Sequence, residues 1–264
     1  MEFKENSKKV FTNYCNVVVA GRTIEATQTN NLFKSPVCKK IAKDKWLNIE
    51  SGELIEKDNI YSKNKCSNIK SVKQTVKRIR NLINSNFFGM SDNEYFITLT
   101  YKENMTDSKK LYKDFDKFIK KLKYDNKDLL YIGVVEPQAR GAWHVHLLLK
   151  NVNNIDNDYI SSKWNLGYTY LTVLNNVDNV GAYLSAYLTN TSDKKGARLY
   201  LYPQNMNIFR CSRNCKRPFK EKLHYTKFFE KYNNLRLKYV RSYDLYNGLQ
   251  KINSVIFKSY LVGD

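Results

Sequence analysis

The chain has 264 residues, 42% of them hydrophobic and 27% charged, which suffices for a full core and favours one domain with extensions over two equal domains. It holds no apolar run long enough to span a membrane, and the N-terminus MEFKENSKKV lacks a secretory apolar core, so the expectation is a cytoplasmic protein without membrane contact. Its 45 Lys and Arg against 25 Asp and Glu leave a formal charge of +20, a field that attracts polyanions and points to nucleic acid as the partner. Five cysteines, scattered apart from Cys211 and Cys215, fit reduced thiols better than a disulfide framework, and no second pair completes a metal site with those two.

Residues 1–69 are polar and mixed and read as an N-terminal extension, with one short strand at Asn16–Ile24 (NVVVAGRTI). From Ile69 to Phe87, apolar residues at 69, 72, 76, 79, 82 and 83 recur with a helical period, while Lys and Arg fill the other face. EYFITLTY, Glu94–Tyr101, is β-branched and aromatic and reads as a buried strand. Asp107 or Ser108 caps the next helix, which runs to about Lys123 with Leu111, Phe115, Phe118, Ile119 and Leu122 on one stripe.

Two strands follow, LLYIGVVE (Leu129–Glu136) and WHVHLLLK (Trp143–Lys150), and the link PQARGA has the Pro and Gly of a loose hairpin. Asp156–Trp164 reads as a short helix, LGYTYLTV (Leu166–Val173) as a strand, and Val177–Thr189 as a helix with Val180, Leu184 and Leu188 toward the core. Residues 70–195 thus form the core. Residues 196–264 are a basic C-terminal extension, in which RCSRNCKRPFKEK reads as a surface loop or arm and Tyr225–Leu235 and Val240–Tyr246 as helices. The element order predicts an α+β fold: a central, mainly antiparallel sheet with helices packed on one face, similar to a ferredoxin- or RRM-like core, and the other face partly open to ligand.

Two of the three histidines, His144 and His146, stand one residue apart in an apolar run. Alternate residues of a strand share a face, so the two imidazoles point one way while Trp143, Val145, Leu147 and Leu149 point the other way into the core. A single histidine on a strand is usually a satisfied structural residue; two on one face form a chelating pair. If the hairpin turns near Arg140, Glu136 lies opposite His144 and on its side; a slip of one residue would undo this. Gln138 is the alternative third ligand. Two imidazoles and one carboxylate leave positions open on a metal and suit Mn²⁺ or Mg²⁺ beside a phosphate, with Zn²⁺ a further option. Tyr183 and Tyr187, four apart on one helical face, are candidate nucleophiles, although with 20 tyrosines in the chain such a pair also arises by chance. No Gly-x-x-x-x-Gly-Lys loop occurs, so no nucleotide cofactor is expected.

Three segments in order, FITLTY (Phe96–Tyr101), HVH (His144–His146) and VGAYLSAYLT (Val180–Thr189), resemble motifs I, II and III of the HUH-endonuclease superfamily. VVEPQARGAWHVHLLL is similar to the Glu…Gln-x-x-Gly-x-x-His-hydrophobic-His stretch of the rolling-circle replication initiators of plasmids and small single-stranded DNA phages. The resemblance covers about residues 70–220. It implies a divalent metal held by His144, His146 and Glu136. It also implies attack by Tyr183, with Tyr187 as a second nucleophile, on a single-stranded origin to give a 5′-phosphotyrosine intermediate. The strand would be nicked and later rejoined, with a host helicase and replication proteins as partners. The family usually carries lysine three residues after each tyrosine; Ala186 and Asn190 stand there here, and Lys194 or Lys195 is the candidate substitute. Arg140, Lys194, Lys195, Arg213, Lys216 and Arg217 are the candidate DNA contacts. The alternatives are an HUH-type transposase or relaxase, or a non-catalytic protein that binds single-stranded nucleic acid.

Overall fold

The structure, a computed structural model, describes residues 11–30, 38–42, 45–48, 51–56, 69–138, 140–175, 179–181, 191–192, 195–196, 201–203, 206–247 and 250–263. The chain divides into two units, one made of Met1–Val18, Ile24–Ser62 and Lys220–Asp264, the other of Val19–Thr23 and Lys63–Phe219. The architecture is α+β, with two five-stranded antiparallel sheets and two smaller ones among the described residues.

At the N-terminus, the run expected to be one strand is two, β1 (Tyr14–Ala20) and β2 (Thr23–Thr29), neighbours in one sheet and separated by a turn at Gly21–Arg22. The apolar content continues through the turn, so composition alone does not reveal the break. Three short strands follow, β3 (Cys38–Ala42), β4 (Lys45–Asn48) and β5 (Leu54–Glu56), paired in that order.

The second unit opens with α1 (Ile69–Asn84), whose Val72, Val76, Ile79, Leu82 and Ile83 are buried as the helical period requires. Its sheet has the order β12-β7-β8-β6-β9, built from β6 (Glu94–Leu99), β7 (Leu130–Pro137), β8 (Trp143–Lys150), β9 (Thr169–Val173) and, after the short pair β10 (Thr191–Ser192) and β11 (Lys195–Gly196), β12 (Phe209–Cys211). Between β6 and β7 lies α2 (Ser108–Asp125), capped by the Asp107 carboxylate, which accepts from the N–H groups of Lys109 and Lys110. The expected stripe of five apolar residues is its buried face, each side chain worth roughly 1.5–3 kcal/mol on burial. Helix α3 (Asn157–Trp164) links β8 to β9 and is capped by Asp156.

Helices α2 and α3 cover the same face of the sheet. The Phe115 ring lies 5.9 Å from Tyr131 and occupies the space above Gly133, while Trp164 packs edge-on against Phe118 and Tyr101. This face carries Trp143, Val145, Leu147 and Leu149 of the central strand β8, all buried. Opposite them, Ile132 and Val134 of β7, Leu148 of β8 and Phe96 of β6 are buried too, so β8 is sealed on both faces along most of its length.

The basic stretch expected to be a loop or arm is tied down. Arg210 and Cys211 belong to β12, which pairs with β7, and Ser212 and Cys215 are buried. The Ser212 N–H donates to the Tyr131 carbonyl at 2.9 Å, and the Asn86 side chain bonds the backbone of Lys216 at both its N–H (2.8 Å) and its carbonyl (2.9 Å). Charge in the sequence conceals these contacts because they are made by backbone groups. In the first unit, β13 (Phe219–His224) leads into α4 (Tyr225–Lys231) and then β14 (Leu235–Asn247) and β15 (Gln250–Val262). Val240–Tyr246, expected as a helix, is therefore strand. It pairs antiparallel with β15, and such a cross-strand partner supplies hydrogen bonds that no local period records.

At the end of the central sheet remote from the histidines, Glu94 faces Lys150 across β6 and β8. The Glu94 carboxylate is buried and accepts from the N–H groups of Phe88 and Gly89, both at 2.8 Å, and from Lys150 Nζ at 3.3 Å. Glu94→Ala should lower stability by roughly 2–4 kcal/mol, because it strands two backbone donors and a partly buried ammonium. Urea denaturation followed by circular dichroism measures this; a loss under about 1 kcal/mol would show the carboxylate to be dispensable.

Candidate metal centre

A five-residue connection, Gln138–Ala142, sets the register of the hairpin that carries the histidines. The Gln138 N–H donates to the Ala142 carbonyl at 2.7 Å, and the Gly141 N–H donates to the Gln138 carbonyl at 2.9 Å. Gly141 takes a φ of 84°, a left-handed conformation that a side chain disfavours. Counting back from this turn pairs Pro137 with Trp143, Glu136 with His144 and Val134 with His146. On the other side of β8, Thr98 of β6 pairs with His146. Directly opposite residues share a face, so Glu136, His144, His146 and Thr98 all project to the side away from α2 and α3.

There the three ligand-type side chains converge. One carboxylate oxygen, Glu136 Oε2, lies 3.1 Å from His144 Nε2 and 2.9 Å from His146 Nε2. The donor atoms lie within 4.8 Å of one another, and this is the one such group among the described residues. Ligands about 2.1 Å from a common ion in an octahedral shell stand roughly 3 Å apart, so the observed separations fit a bound ion without rearrangement. Burial fits as well: the side chains of His144, His146 and Glu136 are 14%, 7% and 9% exposed, so the group is reached from one side only.

The electrostatics favour the ligand state. Burial alone would raise the Glu136 carboxyl, but hydrogen bonds from both histidines and their positive potential outweigh it and hold it at about 2. Burial and the neighbouring His144 ring lower His146, against the pull of Glu136. One carboxylate cannot compensate two buried imidazolium ions, and both directions agree on an ionised Glu136 beside a neutral His146 at pH 7. An anionic oxygen and a neutral ring nitrogen are the forms in which these side chains bind metal.

Two supporting residues lie outside the sequence-level expectation. Thr98 Oγ1 stands 3.3 Å from His146 Nδ1, which leaves Nε2 for the centre, and the Phe96 ring stacks on His146 with centroids 5.5 Å apart. Their alternation in FITLTY was the available signal, since Phe96 and Thr98 share the face of the histidines once β6 is placed beside β8. His144 Nδ1 is buried and finds no partner among the described residues.

The remaining candidates fall in different places. Gln138 lies in the turn, where its Oε1 accepts from Arg140 Nε at 3.0 Å, so the side chain is already engaged; Arg140 is exposed. Arg213, Lys216 and Arg217 are exposed in the turn after β12, and Lys195 lies in β11. Tyr183, Tyr187 and Lys194 lie outside the described residues, as do Ala186 and Asn190. The segment that leads to the tyrosines is described at its start: Val180 and Gly181 are helical and buried, and the Gly181 N–H donates to Asn84 Oδ1 at 2.8 Å. A Cβ at Gly181 would stand 2.4 Å from Asn84 Oδ1 and 2.5 Å from the Arg80 carbonyl oxygen, so α1 and this segment meet at a contact only glycine permits.

Residues 94–192 match the model of a family described as Replication-associated protein, of the ORF2 type. The matched stretch begins with β6 and contains all three residues of the centre. It covers well under half of the chain, and it links this part of the protein to replication. No curated protein and no solved structure matches the chain. No helix among the described residues is long and apolar enough to cross a membrane.

Titration with Mn²⁺ should give one site per chain, and His144→Ala or His146→Ala should each weaken it by about tenfold or more. Affinity should decline as the pH falls through and below about 6, where protons compete for imidazole, while Glu136, held at about 2, stays ionised. The lowered His146 has a sign for stability too. The unfolded chain binds its proton at a higher pH than the folded one, so the metal-free protein loses stability as the pH drops below about 6.5. Isothermal calorimetry from about pH 8 to about pH 5 checks the first expectation, and an affinity independent of pH would refute it.

Proposed function

We propose that the protein is a replication initiator that nicks and rejoins single-stranded DNA at a rolling-circle origin through a 5′-phosphotyrosine intermediate. The observation that carries this reading is the buried Glu136/His144/His146 group inside a segment that matches a replication-associated family. Its donor set suits Mn²⁺ or Mg²⁺, and such an ion supplies Lewis-acid polarisation of a phosphoryl oxygen. Glu136, His144 and His146 hold it, and Thr98 keeps the His146 ring oriented.

Tyr183 is the nucleophile in this scheme and Tyr187 its partner at termination. The phenol loses its proton, its oxygen bonds to the 5′ phosphate, and the P–O3′ bond breaks to leave a 3′ hydroxyl. The phosphotyrosine ester retains the free energy of the cleaved linkage, so attack by a 3′ hydroxyl reseals the strand without a nucleotide cofactor. Gly181 bears on the same step as a positioning residue, since its contact with α1 fixes where the tyrosine-bearing segment starts. Arg140, Lys194, Lys195, Arg213, Lys216 and Arg217 contact the phosphate backbone, and a host helicase and replication proteins act with the initiator. A protein that only binds single strands would not need an ionised carboxylate and two imidazoles buried against one another, because desolvating such groups opposes folding unless a ligand offsets it.

A single-stranded origin oligonucleotide with Mn²⁺ should yield a protein–DNA adduct that survives denaturant on a gel. Tyr183→Phe should remove most of it and the double change Tyr183→Phe/Tyr187→Phe all of it. An adduct of undiminished yield in the double variant would sink the assignment of the nucleophiles. His144→Ala with His146→Ala should abolish cleavage while largely sparing DNA binding, since phosphate contacts carry most of the affinity.

A further inference from the structure

Strand β9 forms one edge of the central sheet among the described residues, and it presents two tyrosines on the face of the metal centre. Thr98 pairs with His146 on one side and with Tyr170 on the other, so Val134, His146, Thr98 and Tyr170 form one row across four strands. With strands about 4.8 Å apart, Tyr170 sits roughly 10 Å from the His146 strand. The ladder continues beyond the strand proper: the Thr100 N–H donates to the Tyr168 carbonyl and the Lys102 N–H to the Leu166 carbonyl, both at 2.9 Å. Tyr168 therefore projects to the same face as Tyr170, with Lys102 and Leu166 one step further along.

Exposure separates this strip from the rest of the strand. Tyr168 is 68% exposed and Tyr170 52%, whereas Thr169 between them is 2% exposed on the opposite face. Gly167 shows how closely this part of the chain lies on its neighbour, since a Cβ there would stand 2.5 Å from both the Lys102 nitrogen and the Thr100 oxygen. Both rings thus stand on backbone held firmly against β6.

We propose that Tyr168 and Tyr170 are a stacking platform for two unpaired bases of a single-stranded nucleic acid, which holds the strand beside the Glu136/His144/His146 centre. The inference rests on the reading of that centre as one that acts on a DNA strand. Two aromatic rings at i and i+2, about 6.8 Å apart along the strand, offer flat faces to successive bases, and stacking on them is sequence-tolerant because every base has a π-face. Charge selects the occupant. The chain carries +20, and Lys102, exposed and on the same face, supplies a cation for the phosphate between or beside those bases.

The test measures binding of a labelled mixed-sequence single-stranded DNA to the full chain by fluorescence anisotropy, in EDTA so that no cleavage contributes. Tyr168→Ala and Tyr170→Ala should each raise the Kd by about fivefold or more, and the double variant by the product of the two. Tyr168→Phe and Tyr170→Phe should bind as the wild type does, because stacking needs the ring and not the hydroxyl. Lys102→Gln should reduce the slope of log Kd against log salt by about one. Both positions are exposed, and thermal melting confirms that the variants are folded. Alanine variants within about twofold of the wild-type Kd would overturn the platform, as would phenylalanine variants that lose as much as alanine. Unchanged Kd with an altered oligomeric state in size-exclusion chromatography would assign the edge to a second copy of the chain instead. The adduct experiment with Tyr183 and Tyr187 is independent of these measurements, so failure of the nicking reading and failure of the platform give different results.

Discussion

In the hairpin of β7 and β8, a shift of one residue would turn His144 and His146 toward Phe115 and Trp164 and bring Trp143 and Val145 out to the opposite face. The turn at Gln138–Ala142, with Gly141 in a left-handed conformation, opposes that shift locally. The apolar side chains of β8 oppose it globally, since slippage would expose Trp143, Val145, Leu147 and Leu149 at a cost of roughly 1.5–3 kcal/mol each. The metal centre thus inherits its register from the core. The residues that bind no ligand are the ones that hold the ligands in place.

The central sheet separates two kinds of buried charge along its length. At one end Glu94 is satisfied by two backbone N–H groups and Lys150, a closed arrangement with no room for a ligand. At the other end the partners of Glu136 among the described residues are two imidazoles, and these are themselves ligand types. Depression of the Glu136 carboxyl and of His146 together keeps an anion beside a neutral ring, a pairing that is weaker as an ion pair than as a ligand set. In a chain with an excess of 20 positive charges, this pocket of acceptors is the place where a dication finds compensation.

Much of this region was legible from consecutive residues. Asp107 before a five-residue apolar stripe specified α2, alternation in WHVHLLLK placed both imidazoles on one face, and PQARGA marked the turn that pairs Glu136 with His144. Thr98 and Phe96 were legible only as strand residues, because their roles depend on β6 lying next to β8, a neighbour outside the hairpin. The same limit hid β12 inside a basic stretch and the β14–β15 pair behind an ambiguous period. Each of these strands is defined by backbone bonds to residues remote in sequence or by a partner across a turn.

The identity of the ligands, the face they share and the hairpin that joins them were properties of the sequence, because alternation, helical period and turn chemistry act over a few neighbouring residues. The tertiary structure alone decided which strand lies on the far side of the histidines. That choice oriented His146 through Thr98 and brought Tyr170 into its row at the edge of the sheet. It also joined the two ends of the chain in one unit, with β1, β2 and β15 in a single sheet. Strand order is set by long-range burial and backbone pairing, for which the chain carries no local mark.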